Sequence, residues 1–321
     1  MAGFLAPVHM PEQKHALSYL NGCCLKQCAA TVVLFFPDNQ VFQNLRQIIK
    51  QFELVVVVVN GISEDELRKL KTGFAEARNV IIHNSDVNIG VAAALNLGAS
   101  TALKHGFAWM ATFDQDSSIE PNFATSVAKN MSLITSCESF ALLTPVHVGR
   151  VRGKRVGYCP ILRNHGSWAE IGSVITSGNI ISLKAWVSVG GFRESLFIDF
   201  VDYEYCFRLR KANFKLIMLR QVMMQHDIGE VVHADVLGFS IPLDGHGPIR
   251  YYYIVRNFLL IFPTYIFSNP WFFIRAAAAI IIKVGMLLIF DARRIAYASN
   301  VIRGLCDGLR CRCSAASEEV V

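Results

Sequence analysis

Phe107-Ala-Trp-Met-Ala-Thr-Phe-Asp-Gln-Asp-Ser117 is an apolar run that stops abruptly in two acids one residue apart. Its length and character fit a strand covered on both faces, and residues two apart on an extended backbone point to the same side. Asp114 and Asp116 therefore aim two hard oxygen ligands at one place, which suits a divalent cation completed by water and phosphate oxygens. An acidic turn capping a helix begun by Pro121 is the plainer reading of the same residues. A calcium loop of the EF-hand type is excluded. Counted from Asp114, the sixth position is Ile119 where glycine is needed, and the twelfth is Thr125 where glutamate is needed.

Outward from this run the same rhythm repeats. Thr31-Val-Val-Leu-Phe-Phe36 reads as a buried strand stopped by Pro37-Asp38-Asn39. Leu54 to Val59 is a valine run suited to a parallel strand, and Val80 to His83 and Phe140 to Val148 are further strands. Between them, Val41, Leu45, Ile48, Ile49 and Phe52 recur at helical spacing. Ser63 with Glu66 forms a capping box, and Val91 to Lys104 is an Ala-rich helix. Strands alternating with helices predict one mostly parallel α/β sheet with ligands at the carboxyl ends of its strands, where Asp114 and Asp116 fall. Residues 149–171, with Arg150, Arg152, Lys154, Arg155 and Arg163 among glycines, predict a basic hairpin or flap. Beyond Ile175–Ile181 a short helix ends at Gly190-Gly191, and a helix with an acidic first turn runs from Phe200 to Lys211.

The chain has 321 residues, 53% of them hydrophobic and 17% charged, with a mean hydropathy of +0.36 that is high for a freely soluble enzyme. Its net charge of +6 is unevenly spread. Arg250 to Cys313 holds nine cations against Asp291 and Asp307, and basic charge beside apolar sequence favours an anionic membrane surface over nucleic acid. No basic and aromatic nucleic-acid motif accompanies it. The nine cysteines lack the spacing of a disulfide framework or a zinc site, which predicts reduced thiols and a cytoplasmic setting. Phe4 and Leu5 are not flanked by a basic region and a long apolar stretch, so no secretory signal is expected.

In order and spacing, several motifs resemble those of family-2 glycosyltransferases of the GT-A fold, and of their bacterial rhamnosyltransferase branch in particular. They are Asn88-Ile-Gly90, Ala94-Leu-Asn96, Phe113-Asp-Gln-Asp-Ser117, Ser177-Gly-Asn179 and Gly190-Gly-Phe-Arg193. Phe197-Ile-Asp-Phe-Val-Asp-Tyr-Glu204 with Arg208, His226-Asp-Ile-Gly229 and Arg250-Tyr-Tyr-Tyr-Ile-Val-Arg-Asn257 follow, so that the likeness runs from about Val32 to Gly308. It implies a Rossmann-like mixed, mostly parallel sheet flanked by helices, and an inverting transfer of L-rhamnose from a dTDP donor in cell-surface polysaccharide or lipopolysaccharide synthesis. It makes Asp202 the catalytic base, with Asp199 beside it. Spaced three apart on a helix, these two acids would share a face and raise the pKa of one of them. Glu204 would turn away. The donor is then held by Asn60, Asp86, Asn88, Gly90, Asn96, Asp114, Gln115, Asp116 and Arg256. Mg²⁺ or Mn²⁺ is held by Asp114, Asp116 and His226. One departure stands out: where the family has Asp-Asn-Gly, this chain has Val59-Asn60-Gly61. Base recognition then falls to Asn60, to Asp86 or to stacking. A UDP- or GDP-hexose donor, or a catalytically silent glycan- or lipid-binding relative, are the rival readings.

Phe258 to Phe290 is apolar but interrupted by Pro263, Asn269, Pro270, Arg275 and Lys283, and its clean pieces fall short of the roughly 20 residues a spanning helix needs. At about 100° per residue, Arg275, Lys283, Arg293 and Arg294 would form a basic stripe on one helix lying in the membrane interface, or else packing against another subunit. The expected organisation is a loose leader over 1–28 and a GT-A domain over 29–249, with a nucleotide-binding half (29–117) and an acceptor half (118–249). A helical, apolar and basic extension over 250–321 completes it. The expected place is the inner face of the plasma membrane. The expected partners are the nucleotide-sugar donor, a glycan or lipid-linked acceptor, the anionic bilayer and a second copy in a homo-oligomer, with no nucleic acid.

Overall fold

Valines at positions 55–59 alternate between two cores, and this alternation sets the architecture. Val55, Val57 and Val59 pack on one face of a sheet, and Val56 and Val58 on the other. The computed structural model describes residues 27–37, 39–134, 139–149, 158–225, 231–236 and 239–318. Strands β1 (Cys28–Leu34), β2 (Val55–Asn60), β3 (Val80–Ser85) and β4 (Trp109–Asp114) lie parallel in the order β3-β2-β1-β4. β1 starts before the predicted Thr31 because Cys28, Ala29 and Ala30 pair with Trp109, Met110 and Ala111. It ends at Leu34, which leaves Phe35 and Phe36 exposed at its mouth.

The sheet continues beyond β4 as mixed pairings. β5 (Phe140–Val148), β6 (Ile161–Asn164), β7 (Trp168–Ile171), β8 (Asn179–Ser182) and β9 (Lys215–Gln225) complete nine strands in the order β3-β2-β1-β4-β8-β5-β9-β7-β6. β8 is antiparallel to both β4 and β5, while β5 and β9 are parallel. β6 and β7 form the hairpin expected after residue 149, with Arg163 on it; Arg150, Arg152, Lys154 and Arg155 lie outside the described residues. A separate antiparallel pair joins β10 (Val231–Val236) to β11 (Phe239–Asp244).

Helices α1 (Asn39–Ile49), α2 (Glu64–Gly73), α3 (Gly90–Lys104), α4 (Phe123–Met131), α5 (Leu183–Val189) and α6 (Val201–Lys211) connect the strands. The capping box at the start of α2 forms as predicted, Ser63 and Glu66 each bonding the other's backbone amide. Pro121 lies in the turn before α4 and does not begin the helix, which starts at Phe123.

Three C-terminal helices follow: α7 (Pro248–Tyr265), α8 (Pro270–Phe290) and α9 (Arg294–Glu318). Ile261, Tyr265, Phe272 and Phe273 join the core beneath α3 and α6. α9 lies so close to α7 that a Cβ at Gly304 would sit 2.6 Å from the Tyr252 carbonyl oxygen. Two expectations are corrected here. Pro270 occupies the first turn of α8, where its missing N–H costs nothing, and Arg275 and Lys283 are good helix formers. The result is one unbroken helix of 21 residues with hydropathy 2.2, long and apolar enough by length and composition to cross a membrane. It stops at Asp291, whose backbone is extended, so Arg293 and Arg294 belong to the next helix boundary and not to a single stripe with Arg275 and Lys283. Arg293 pairs with Asp291 at 2.9 Å.

Candidate active site

The acids of β4 are set by a tight turn. Ser117 is fully buried; its amide donates to the Asp114 carbonyl at 3.1 Å, and its hydroxyl accepts from the Asp114 amide at 3.0 Å. The Ser117 and Ser177 hydroxyls are hydrogen-bonded to each other, tying the turn to the segment before β8. Asp116 is exposed and Asp114 partly so, both at the carboxyl edge of the parallel half. Gln115 turns inward: its side-chain oxygen accepts from the Phe35 amide at 2.8 Å, while its carbonyl accepts from Asn44 at 3.0 Å. Among the described residues no group of three or more His, Cys, Asp or Glu forms a preformed metal cage. The two carboxylates supply a hard, acceptor-only oxygen pair that fits Mg²⁺ or Mn²⁺ when phosphate and water complete the shell. His226 lies outside the described residues.

Asp202 faces this edge from the first turn of α6. Partly buried, it shares a small void with Thr112, Asn179 and Cys206, and its Oδ1 accepts from the Tyr203 amide at 2.8 Å. Burial pushes its carboxyl up to about 7, the Tyr203 amide opposes the rise, and the charges of Asp199 and Asp114 add to it. The charge coupling places Asp202 within electrostatic reach of Asp114.

Asp199 is not on the helix, so the shared-face argument fails. It precedes α6 with φ +61°, in a loop where Phe197 and Phe200 also adopt left-handed backbone. Arg250 holds it with Nε at 3.1–3.2 Å and Nη2 at 3.1 Å, and His246 Nδ1 lies 3.0 Å from Arg250 Nη1. Asn257, fully buried, donates to the carbonyls of Leu196, Ile198 and Asp199 at 2.7–3.0 Å. The coupling to Asp202 expected of Asp199 is present, but it arises through space from this loop and not along a helix face.

Several predicted donor contacts spend their polar atoms inside the protein. Asn60 is buried and its Oδ1 accepts from the Ile89 amide at 2.7 Å; Asn88 Oδ1 accepts from the Gly90 amide at 2.9 Å. Gly90 has φ +82°, and a Cβ there would meet the Phe197 carbonyl at 2.7 Å; that carbonyl accepts from the Val91 amide. Asn96 holds the Gly191–Glu194 turn, donating to the Phe192 carbonyl and Glu194 carboxylate at 2.8 Å and accepting from the Phe192 amide and the Trp186 indole. Arg256 donates to the Ser195 and Leu196 carbonyls and lies over the rings of Tyr252 and Tyr253. Asp86 is exposed at the end of β3, its Oδ1 accepting from Asn84 at 3.1 Å. Glu204 is buried in a bidentate pair with Arg208 and accepts from Tyr265, so it is not available as a base. Arg250 and Asn257 close a motif in the sequence that suggested only a solvated helix face, whereas Asn257 is fully buried and both hold the loop before α6. Their spacing of seven puts them on one helix face, which was the available signal.

A Rossmann-like sheet with an acid pair at the carboxyl end of its fourth strand and a carboxylate on a facing helix is the GT-A frame, and the chain has that fold. Among solved structures, GalNAc-T7 with UDP, GalNAc and Mn²⁺ superposes with a TM-score of 0.55 at 12% identity, over 74% of this chain and 48% of that one. The chain thus spans about half of that structure. A structure of S. aureus TarS residues 1–349 gives a TM-score of 0.48 at 15% identity, over 87% and 70% of the two chains. At the level of sequence, the chain is similar to dTDP-rhamnosyl transferase RfbF of Shigella flexneri, 29% identical over 293 residues that cover 88% of this chain and 95% of that protein. No protein-family model matches the chain.

Proposed function

We propose that this protein transfers L-rhamnose with inversion from dTDP-L-rhamnose to a hydroxyl of a lipid-linked or polysaccharide acceptor in cell-surface glycan synthesis. The observation that carries the reading is Asp202: a carboxylate raised toward neutrality, opposite an acid pair suited to a sugar–diphosphate. Similarity to RfbF along nearly its whole length supports the choice of sugar and base. Asp202 removes the proton of the acceptor hydroxyl, whose oxygen forms a bond to the anomeric carbon as the bond from that carbon to the diphosphate oxygen breaks. The electron pair leaves with dTDP. Asp114 and Asp116 would hold Mg²⁺ or Mn²⁺, which supplies charge neutralisation to the departing diphosphate. Asp199 and Arg250 keep the loop before α6 in place.

The test is one set of titrations and turnover measurements. Asp202→Asn is expected to lose about 10²–10⁴ in turnover while dTDP binding is retained. Asp116→Ala is expected to weaken dTDP binding and abolish its sensitivity to a chelator. A variant of Asp202 that keeps more than about a tenth of wild-type turnover would place the base elsewhere. Wild-type dTDP binding unchanged in chelator would end the metal reading. Val59, buried where the resembled family has a base-contacting acid, keeps a UDP- or GDP-hexose as the second reading. A thermal-shift series over nucleotide sugars decides between them, since the true donor stabilises the fold by mass action.

A further inference from the structure

Tyr297, near the start of α9, is fully buried although it carries a hydroxyl. A buried hydroxyl needs partners, and this one has them on two sides. It accepts from Arg293 Nη2 at 2.9 Å and donates to the His246 carbonyl at 2.8 Å. Arg293 is itself fixed at the corner between α8 and α9, where its guanidinium pairs with Asp291 at 2.9 Å and its amide donates to the same carboxylate at 2.7 Å. Because a guanidinium can only donate, the Tyr297 proton is left for His246. The His246 ring continues the line. Its Nδ1 lies 3.0 Å from Arg250 Nη1, so Nδ1 is the acceptor and the ring proton sits on Nε2. Arg250 in turn holds Asp199 at 3.1–3.2 Å, and the charge of Asp199 bears on Asp202.

The far end of this line is seated without slack. A Cβ at Gly308 would lie 2.9 Å from the Leu259 side chain, as one at Gly304 would press on the Tyr252 carbonyl. The Tyr252 hydroxyl donates to Asp307 at 3.0 Å, and the Tyr297 ring meets Tyr251 edge-on with centroids 5.4 Å apart. α9 therefore presents the Tyr297 hydroxyl to α7 at one fixed height. We propose that Tyr297 is a positioning residue for the reaction: acting through His246 and Arg250, its hydroxyl fixes the loop before α6 so that Asp202 meets the acceptor hydroxyl. The inference rests on the glycosyl-transfer reading above and carries the support of the site past α7 to α9. A residue that only glued α9 to α7 would make the same contacts, so the test separates positioning from packing.

Turnover is read in the full chain as dTDP released from dTDP-L-rhamnose with water as acceptor, and loop order as amide hydrogen exchange over residues 196–202. Tyr297→Phe keeps the ring and removes the hydroxyl. It is expected to lower kcat by about twofold to tenfold, the range of one lost hydrogen bond, with KM for the donor unchanged. Exchange over 196–202 should quicken while that of β4 stays as in the wild type. In an Arg250→Gln background, where the line is already cut, the same substitution should lower kcat no further. His246→Ala should reproduce the loss and His246→Asn recover it, since the Asn side-chain oxygen can take the acceptor place of Nδ1. Tyr252→Phe cuts another hydroxyl tie between α7 and α9 but keeps its ring, and should leave kcat at the wild-type value. Unchanged kcat in Tyr297→Phe, an equal loss in Tyr252→Phe, or a full further loss in the Arg250→Gln background would each overturn the proposal. Failure of the glycosyl-transfer reading shows separately: the wild type would neither bind nor release dTDP, while the exchange of 196–202 would still report on the line.

Discussion

At the scale of single residues, Asp202 carries two consequences of one environment. Its carboxyl is raised from 3.8 to about 7 chiefly by burial, so the folded protein binds a proton that the unfolded chain releases between those values. Stability from this group is therefore fully present below about pH 4 and is lost as pH climbs toward 7. In metal-free protein Asp202→Asn removes that dependence, and is expected to raise stability at pH 8 by roughly 1–4 kcal/mol while changing little at pH 4. Urea denaturation of both proteins at the two pH values checks this, and an equal shift at both would assign the effect to packing. On the proposed role of Asp202 as base, activity runs the opposite way: a base must be ionised, so turnover is expected to fall as pH drops through about 7. The acid pair was legible because its spacing is a backbone property of strands. The roles of Asn60, Asn96, Gln115 and Arg256 were not, since a residue that touches a ligand and one that holds the ligand's loop leave the same mark in a motif.

At the scale of elements, α7 acts as a splint for strained backbone. Phe197, Asp199 and Phe200 each adopt left-handed conformations that cost on the order of 1–3 kcal/mol outside glycine. Asn257 bonds three carbonyls across that loop, and Arg256 bonds Leu196 again. Asn257→Ala leaves the Ile198 and Asp199 carbonyls without this donor and is expected to destabilise the fold by roughly 2–4 kcal/mol. It should also lower turnover more than dTDP affinity, because the loop places Asp202 and not the β4 acids. Asn257→Asp keeps the shape but not the donors, so it should behave like the alanine variant; recovery of wild-type behaviour by Asp would refute the splint. The parallel strands β1 to β4 and the helices α1 to α3 between them were predictable from period and capping, including the Ser63–Glu66 box. β8 was not, since four extended residues inserted antiparallel between distant strands answer to sheet closure and not to local pattern.

At the scale of the whole molecule, we propose that α8 is the element that meets a membrane surface. Trp271 is 73% exposed, Ile281 71% and Ile289 65%, on one side of a helix of mean hydropathy 2.2. Length alone would let the helix span, but Lys283 sits past its middle, and a lysine near the bilayer centre costs roughly 2.5–3.5 kcal/mol on insertion scales. Lying in the interface instead would bury the isoleucines and let Arg275 and Lys283 remain near headgroups. Each large apolar side chain buried contributes about 1.5–3 kcal/mol, so replacing Trp271, Ile281 and Ile289 together with Ser should lower vesicle partitioning by orders of magnitude. The same protein should keep dTDP binding, because none of the three touches the sheet edge. Vesicle co-sedimentation measures the loss, and extraction of the wild type from membranes by alkaline carbonate separates a helix in the interface from one that crosses. Wild type that resists carbonate would place α8 through the bilayer, and unchanged sedimentation of the triple variant would turn its exposed face into a contact between protein chains.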